Sequence, residues 1–549
     1  MKDNDHEIGS RAESLIEFDK PPMRWLWGGF GFHNSEASMT PLMSEEFRDQ
    51  RALKTFREIS PSYSRVFAGY WDWTREAMDR FADYYDLTFR PAGTTLYVVP
   101  GRMPVIADGF EPASYCEAVA TRLEYLVKER KCAKIRYYCI SNELSVGSTY
   151  AWFAQHWDTY AEINRAMQRA FMRHGLDIGL QTPDSSDYSH VADIDWAIDN
   201  INEQTDTYCW HYYERNLQPG DPALYANLSK TLASLVGKAL CKEKRLSLGE
   251  FGFTGKITPY GQGRMRDDAH DAFRHPSGEF SRLAAISRAE MGLAALNAGA
   301  VSAVSWTMAD YPDPFLREDG DSPEAKARYE VARFSGFGLD IRYNKNGLFR
   351  WCDEEHDYSA YPDLYTMGYL AKLFKKGARV LPWTAADDTL RAGGVTNPDG
   401  SASFAVVNWG GAKTVTLVVP HPLEKPLRVY KYDSSHPPCN PFNDLQPMSG
   451  SVSAKDGKVT VSVPARSLVF LTTDYTDRVP SAVADVRVSD GRLTWMPCED
   501  SEHVYYRVFR DGAQIASTVA TSLAVDGMAP EDPTRFSVKS VDKWGNVGN

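Results

Sequence analysis

Between about residues 20 and 377, short apolar runs alternate with longer stretches in which apolar residues recur every three or four positions. A run of four to seven apolar residues bounded by turn formers fits a buried strand, and the longer spacing fits an amphipathic helix. Eight runs read as strands: 25–31, 64–69, 94–99, 135–140, 178–181, 207–210, 246–249 and 301–306. Helical spacing fills the intervals at 44–59, 74–85, 113–129, 150–174, 222–242 and 282–297, and 363–376 reads as the last helix. Such alternation predicts a parallel α/β fold, and eight units predict a closed (β/α)8 TIM barrel. An open doubly wound sheet is the alternative, but no GxGxxG follows the first strand as a dinucleotide fold requires.

The pattern changes after residue 377. Runs at 404–409, 414–419, 427–432, 458–463 and 467–472 read as short strands, and Asn397-Pro398-Asp399-Gly400 is a turn. The expected layout is a barrel over 1–377, a β-sandwich packed on it over 378–476 and a second all-β sandwich over 477–549. The last unit opens near Val479-Pro480-Ser481 and carries Trp495, a Tyr-rich strand at 504–510, the turn Asp511-Gly512 and a strand at 536–541. One core Trp followed by a Tyr-rich strand resembles a fibronectin type III module. The resemblance implies a spacer or contact surface without catalysis.

Length and composition agree with several sizeable cores: 549 residues, 43% hydrophobic. A net charge of −12 turns attention away from nucleic acid and anionic membranes and fits a neutral substrate. Fourteen Trp and 29 Tyr suit a carbohydrate site, because aromatic faces stack on the C–H faces of sugar rings; large cores also consume aromatics. The eight cysteines form no CxxC pair, so neither a zinc ribbon nor a dense disulfide framework is indicated. Cys139 and Cys209 fall on barrel strands and are expected as buried free thiols. No apolar run approaches the ~20 residues of a membrane span, and Met1-Lys2-Asp3-Asn4-Asp5 does not begin a signal core. A secreted or periplasmic location is favoured if a signal peptide has been removed. The sequon Asn227-Leu228-Ser229 carries little weight, as chance matches are common.

In a (β/α)8 barrel the active site is built at the C-terminal ends of the strands. Strand four ends in Ser141-Asn142-Glu143, and strand seven ends in Gly249-Glu250-Phe251-Gly252. Strands on opposite sides of a small barrel aim side chains across its mouth. Two carboxyl groups about 5–5.5 Å apart suit a retaining glycosidase, and about 6.5–9.5 Å suits an inverting one. Asn-Glu after strand four with Glu after strand seven resembles clan A glycoside hydrolases, and Gly249-Glu250-Phe251-Gly252 looks like the nucleophile segment of the family-five cellulases and mannanases. Leu144 stands where that family usually has Pro, so the resemblance is to the clan.

The resemblance implies Glu143 as acid/base and Glu250 as nucleophile, Arg65 as the guanidinium that keeps the nucleophile ionised, and Asn142 on the sugar 2-hydroxyl. It places a His and a Tyr after strand six. His211 fits the first, and Tyr212 or Tyr213 the second, with the His-x-Tyr spacing selecting Tyr213. Trp306 matches the platform under the bound sugar, and His33 and Asn34 are further candidates for substrate hydroxyls. Trp71 and Trp73 past strand two are candidate platforms, and Asp310, Tyr311 and Asp313 in the loop after strand eight are site candidates of no greater weight. Each has a plainer alternative: Arg65 a structural ion pair, His211 a satisfied core histidine, Trp306 packing under the rim. The acidic run Glu318-Asp319-Gly320-Asp321-Ser322 lacks EF-hand spacing and reads as a solvated loop rather than a calcium site. The proposed chemistry needs no metal and no cofactor. Competing functions are a carbohydrate-binding protein on a silent barrel, a transglycosylase using the same residues, and different chemistry on this common scaffold.

Overall fold

The structure, a computed structural model, describes residues 12–18, 21–23, 25–34, 43–67, 74–100, 111–144, 156–253, 278–312, 343–344, 347–351, 356–420, 422–525 and 533–548. Eight parallel strands close into a barrel: β1 (Gly29–His33), β2 (Tyr63–Phe67), β3 (Thr95–Val99), β4 (Ile135–Tyr138), β5 (Gly179–Ser186), β6 (Thr205–Glu214), β7 (Arg245–Phe253) and β8 (Ser302–Ser305). β8 pairs with both β7 and β1, which completes the ring. The interior is filled rather than open: Tyr63, Tyr97, Val99, Cys139, Cys209 and Val304 pack together inside it. Cys139 and Cys209 are free, buried thiols; Cys352 lies outside the described residues.

Two strand boundaries differ from the pattern in the sequence, each for a pairing reason. The run at 25–31 is split: Leu26 and Trp27 pair with Arg379 and Ala378 of the sandwich, and the barrel strand starts at Gly29. The run at 178–181 continues to Ser186, because Ser185 and Ser186 keep pairing with Trp210 and His211 of β6. Five further residues, Thr182 to Ser186, are thereby buried at the barrel mouth despite their polarity.

Helices α1 (Leu53–Ile59), α2 (Arg75–Leu87), α3 (Pro112–Glu124), α4 (Trp157–Arg173), α5 (Val191–Asn200), α6 (Pro222–Leu240), α7 (Glu279–Ala298) and α8 (Met367–Leu373) flank the strands. Most bury one stripe. α7 instead buries Ala284 through Leu296 without a break. Its Ala- and Gly-rich composition permits this, since the barrel lies on one side and the strand Leu390–Thr396 on the other. Among the described residues no helix is long and apolar enough to cross a membrane.

A seven-stranded sheet and a four-stranded sheet form the first sandwich. Its own core includes Phe18, Leu390, Phe404, Val415, Val461 and Val469, and its other face packs on the barrel through Tyr430, Tyr432 and Phe470. The first described strand, Ala12–Glu17, belongs to this sandwich and not to the barrel: it runs parallel to Lys413–Val418 in continuous register. The C-terminal unit stacks two three-stranded sheets over a core of Leu493, Trp495, Tyr506, Val508 and Val538. It is docked firmly. Lys54 on α1, wholly buried, lies 2.7 Å from Glu58 Oε2 and 2.7 Å from Asp444 Oδ1, and donates to the Asn443 carbonyl at 2.9 Å. Arg507 of the C-terminal unit reaches Asp444 Oδ2 at 2.9 Å, and the Tyr505 hydroxyl donates to Glu58 Oε1 at 3.3 Å. One buried charge cluster thus ties barrel, sandwich and C-terminal unit together.

A second buried charge sits where α7 meets the sandwich. Burial pushes the Glu290 carboxyl up to about 7, against the pull of Arg391, whose Nε lies 3.2 Å away, and of the Trp409 indole N–H, which donates at 3.1 Å. A folded-state value above the usual carboxylate range means the native protein holds an extra proton between about pH 4.5 and 7. Stability therefore falls as pH rises through that window, by roughly 3 kcal/mol in full. Glu290→Gln keeps the shape and cannot ionise, and Arg391 retains the Asp388 and Leu390 carbonyls. The variant is expected to match the wild type at pH 5 and to be more stable at pH 8. Equal pH slopes in urea titrations of the two proteins would refute this.

Candidate active site

Side chains from seven barrel strands, β1 to β7, converge on one network. Glu250 on β7 is 3% exposed; its Oε1 accepts from Arg65 Nη1 and its Oε2 accepts from the Tyr213 hydroxyl at 2.6 Å. Glu143, just past β4, keeps 20% of its side chain exposed and faces His211 Nδ1 at 3.3 Å. Carboxylate oxygens of Glu143 and Glu250 and a ring nitrogen of His211 lie within 4.8 Å of one another. Glu143 (φ 47°) and Asp184 (φ 61°) both adopt left-handed backbone. That conformation is uncommon for a non-glycine residue and costs of order 1–3 kcal/mol, and it turns each carboxylate toward the network instead of along its strand.

The two glycines flanking Glu250 have a spatial reason. A Cβ on Gly249 would run into Cys209 Sγ and stand 3.1 Å from His211 Nε2. A Cβ on Gly252 would stand 2.9 Å from the Tyr213 ring. The Gly-Glu-Phe-Gly run thus lets β6 and its ring side chains lie against β7.

Arg65, wholly buried on β2, is the hub. Besides Glu250 it donates to Asn142 Oδ1 at 2.5 Å and to Asp184 Oδ2 at 2.7 Å, and its Nη1 lies 3.4 Å from His33 Nδ1. The positive partner of these carboxylates is therefore a guanidinium already in place. His211 sits between carboxylates, with Nε2 2.9 Å from Asp184 Oδ1 and Nδ1 also 3.7 Å from Glu250 Oε2. Trp306 is half-buried and lies against His33 (ring centroids 4.3 Å) and Phe67 (5.7 Å). Asn34 is buried, bonded to Ser64 through its side chain and to the Arg65 carbonyl through its N–H at 2.8 Å.

The candidate residues do not all meet. Tyr212 points the other way on β6: its hydroxyl donates to Glu214 and its ring packs on Trp210 and Tyr188. The period-two alternation of a strand forces this once Tyr213 faces Glu250. Asp310 turns to the loop, accepting from the Gly347 N–H at 2.9 Å and the Tyr361 hydroxyl at 2.8 Å. Tyr311 enters a two-residue strand paired with Tyr343–Asn344. Trp71, Trp73, Asp313 and the acidic run 318–322 lie outside the described residues.

Two members of the network were not singled out from the sequence. Asp184 on β5 accepts from Arg65, His211 and the hydroxyl of Tyr97, all three fully buried. Thr182-Pro183-Asp184-Ser185-Ser186 reads as a turn, and Tyr97 reads as a core aromatic. Only the extension of β5 brings Asp184 into the network, where it meets the Tyr97 hydroxyl from β3.

The charges are strongly coupled. Burial would raise Asp184, but the charges of His211 and Arg65 hold it well below the usual carboxylate range. Burial opposes charge on His211, yet Asp184 and Glu250 raise it well above an ordinary histidine. Glu250 is raised by burial and by Glu143, against Arg65 and His211. Glu143 is lowered: burial is outweighed by the hydrogen bond and charge of His211 and by Arg65. His33 is kept neutral by burial and by Arg65 and His211.

No protein-family model matches the chain, and no curated protein matches it in sequence. Solved structures do match in fold. A bacterial orthologue of human α-L-iduronidase superposes with TM-score 0.60 at 15% identity, over 98% of this chain and 99% of that one. The catalytic domain of GH30 xylanase C from Talaromyces cellulolyticus gives 0.54 at 14%, over 83% and 99%. The GH51 arabinofuranosidase from Xanthomonas axonopodis pv. citri gives 0.53 at 15%, over 84% and 99%. These neighbours are glycoside hydrolases of the clan A barrel type.

Proposed function

We propose that this chain is a retaining glycoside hydrolase of clan A that cleaves β-glycosidic bonds in a polysaccharide or oligosaccharide by double displacement. The observation that carries this reading is the approach of the Glu143 and Glu250 carboxylates to within 4.8 Å across the barrel mouth. An approach that close between one oxygen of each carboxylate supports the short spacing of retaining enzymes over the wider one of inverting enzymes. The two carboxylates sit in different surroundings. Glu250 is enclosed and anchored through both oxygens, by Arg65 and Tyr213, so its attacking geometry is fixed. Glu143 is partly open to the cleft, where a leaving oxygen and later a water must reach it.

In the first step Glu143, protonated, gives its proton to the glycosidic oxygen while Glu250 attacks the anomeric carbon. In the second, Glu143 takes a proton from water, which displaces Glu250. Asn142, oriented by Arg65, is in place to contact the sugar 2-hydroxyl, and Trp306 to floor the subsite. The C-terminal unit is read as a fibronectin type III-like module with a structural role, given its buried ties to α1.

The test is a panel of β-linked polysaccharides and aryl glycosides, extended to α-L-iduronides and arabinofuranosides because two structural neighbours are an iduronidase and an arabinofuranosidase. Proton NMR of the first-formed product reads the anomeric configuration. Retention, with at least about 10³-fold loss in Glu143→Ala on poor leaving groups, is the expected result. Inversion, or wild-type rates in the variant, would overturn the mechanism. Silence on the whole panel with sugar binding retained would favour the carbohydrate-binding reading.

A further inference from the structure

Glu143 must carry a proton to act as the acid, yet its nearest polar partner is a histidine whose other nitrogen faces a buried carboxylate. The network contains three carboxylates, Asp184, Glu143 and Glu250, and one guanidinium, Arg65. With His211 neutral and all three ionised, it would hold a net charge of −2 in a largely buried place, which is strongly unfavourable. One added proton brings it to −1. Two of its possible homes are in line, His211 Nδ1 and the Glu143 oxygen 3.3 Å away; the third, Glu250 Oε2, lies 3.7 Å from the same nitrogen and already accepts from the Tyr213 hydroxyl. Both in-line arrangements have the same net charge, and both leave Glu250 ionised for attack.

We infer that Asp184 is a positioning residue that holds His211 by its Nε2–H, so that Nδ1 stores the acid/base proton and passes it to Glu143. The inference rests on the glycosidase reading. The transfer is balanced: the Nδ1–H bond breaks, an O–H bond forms on Glu143, imidazolium becomes neutral imidazole, and carboxylate becomes carboxylic acid. When the leaving group takes that proton, the second half-reaction restores it from water. Asp184 serves because it cannot release His211 easily. It accepts from the Tyr97 hydroxyl and from Arg65 Nη2 as well, so its orientation is fixed from β3 and β2. The same Arg65 bond ties this carboxylate to the guanidinium that anchors Glu250, so one residue orients both halves of the machinery.

His211 is faced by Asp184 from β5, Glu143 after β4, Glu250 from β7 and Cys209 on its own strand, with Arg65 and His33 from β2 and β1 adding positive or neutral neighbours. The raised affinity of His211 for its proton and the lowered affinity of Glu143 agree with a resting state in which the proton sits on His211. Substrate binding shifts it, because a glycosidic oxygen against Glu143 accepts from the acid form and excludes the water that solvates the carboxylate.

The experiment uses the full chain with ¹⁵N-labelled histidine, His211→Asn for assignment, and Asp184→Asn and Asp184→Glu as variants. In the wild type, His211 is expected as imidazolium at pH 7. In Asp184→Asn its titration should fall by about one pH unit or more. Activity should show kcat lower by about 100-fold with KM changed less than about threefold, and a basic limb of the kcat/KM profile displaced toward acid. Asp184→Glu should recover part of each. A neutral His211 at pH 7 in the wild type, or Asp184→Asn with unchanged kcat and pH profile, would overturn the inference. The wild-type titration decides even if Asp184→Asn fails to fold. An enzyme silent on all sugars with a cationic, Asp184-dependent His211 would instead sink the glycosidase reading on which the proton's use depends.

Discussion

Glu250→Ala is expected to lower turnover by about 10⁴-fold or more and to regain aryl-glycoside cleavage when azide is added. The side chain is buried, and its loss leaves a small pocket lined by the Arg65 guanidinium and the Tyr213 hydroxyl. Arg65 then lacks one of its acceptors but keeps Asp184 and Asn142, so the barrel mouth should hold its shape. A small anion is drawn to exposed guanidinium charge in a low-dielectric pocket. From there azide attacks the anomeric carbon on the face opposite the leaving group, with Glu143 still supplying the proton. The product is a glycosyl azide of opposite anomeric configuration to the substrate, formed in one displacement instead of two. Ordinary hydrolysis at wild-type rate by this variant would end the assignment. So would an azide product that keeps the substrate's configuration.

Asp444→Ala is expected to destabilise the protein by about 3–5 kcal/mol, the usual penalty for removing one partner of a buried ion pair. Asp444 is 1% exposed and lies 2.7 Å from Lys54 and 2.9 Å from Arg507. Without it, Lys54 keeps Glu58, one carbonyl and the face of the Tyr505 ring. Removing Lys54 as well is not expected to restore stability. Lys54→Met with Asp444→Leu leaves Glu58 and Arg507 without their ionic partners, so the double variant should recover less than half of the loss. Equilibrium urea unfolding followed by tryptophan fluorescence reads both. A loss below about 1 kcal/mol, the range of exposed pairs, would mean the cluster is wetter than the packing shows.

The barrel was legible because its strands are apolar on both faces and its helices keep a 3.6-residue period, so each element announces itself locally. Glu143 and Glu250 stood out for a related reason: each follows a run that can only be a strand, at the end where such barrels place chemistry. What escaped was settled by contacts distant in sequence. Lys54 and Glu58 have the i,i+4 spacing of a solvent-facing pair, yet two further domains cover them. Asp184 sits in a Pro-Asp-Ser-Ser run that any local reading assigns to a turn, and its burial depends on β6 continuing beside it. Tyr212 and Tyr213 are adjacent in sequence and opposite in space, and the difference is the pleat of one strand. Ala12–Glu17 carries alternating polar residues with little apolar weight, so only its partner Lys413–Val418 defines it.

That strand has a consequence for how the chain is made. Ala12 pairs with Lys413 and Glu17 with Val418, and the Phe18 N–H donates to the Val418 carbonyl. During synthesis the first strand emerges long before its partner, which must follow the entire barrel out of the ribosome. Until then it is an unpaired edge with Leu15 and Ile16 on it, the kind of segment that associates with other chains. Its closure ties the segment before the barrel to the sandwich that follows it, so this pairing cannot form until the barrel and residues 413–418 have been made. Translation speed across residues 378–420, which has no effect on the finished fold, would then govern how much of this protein reaches it.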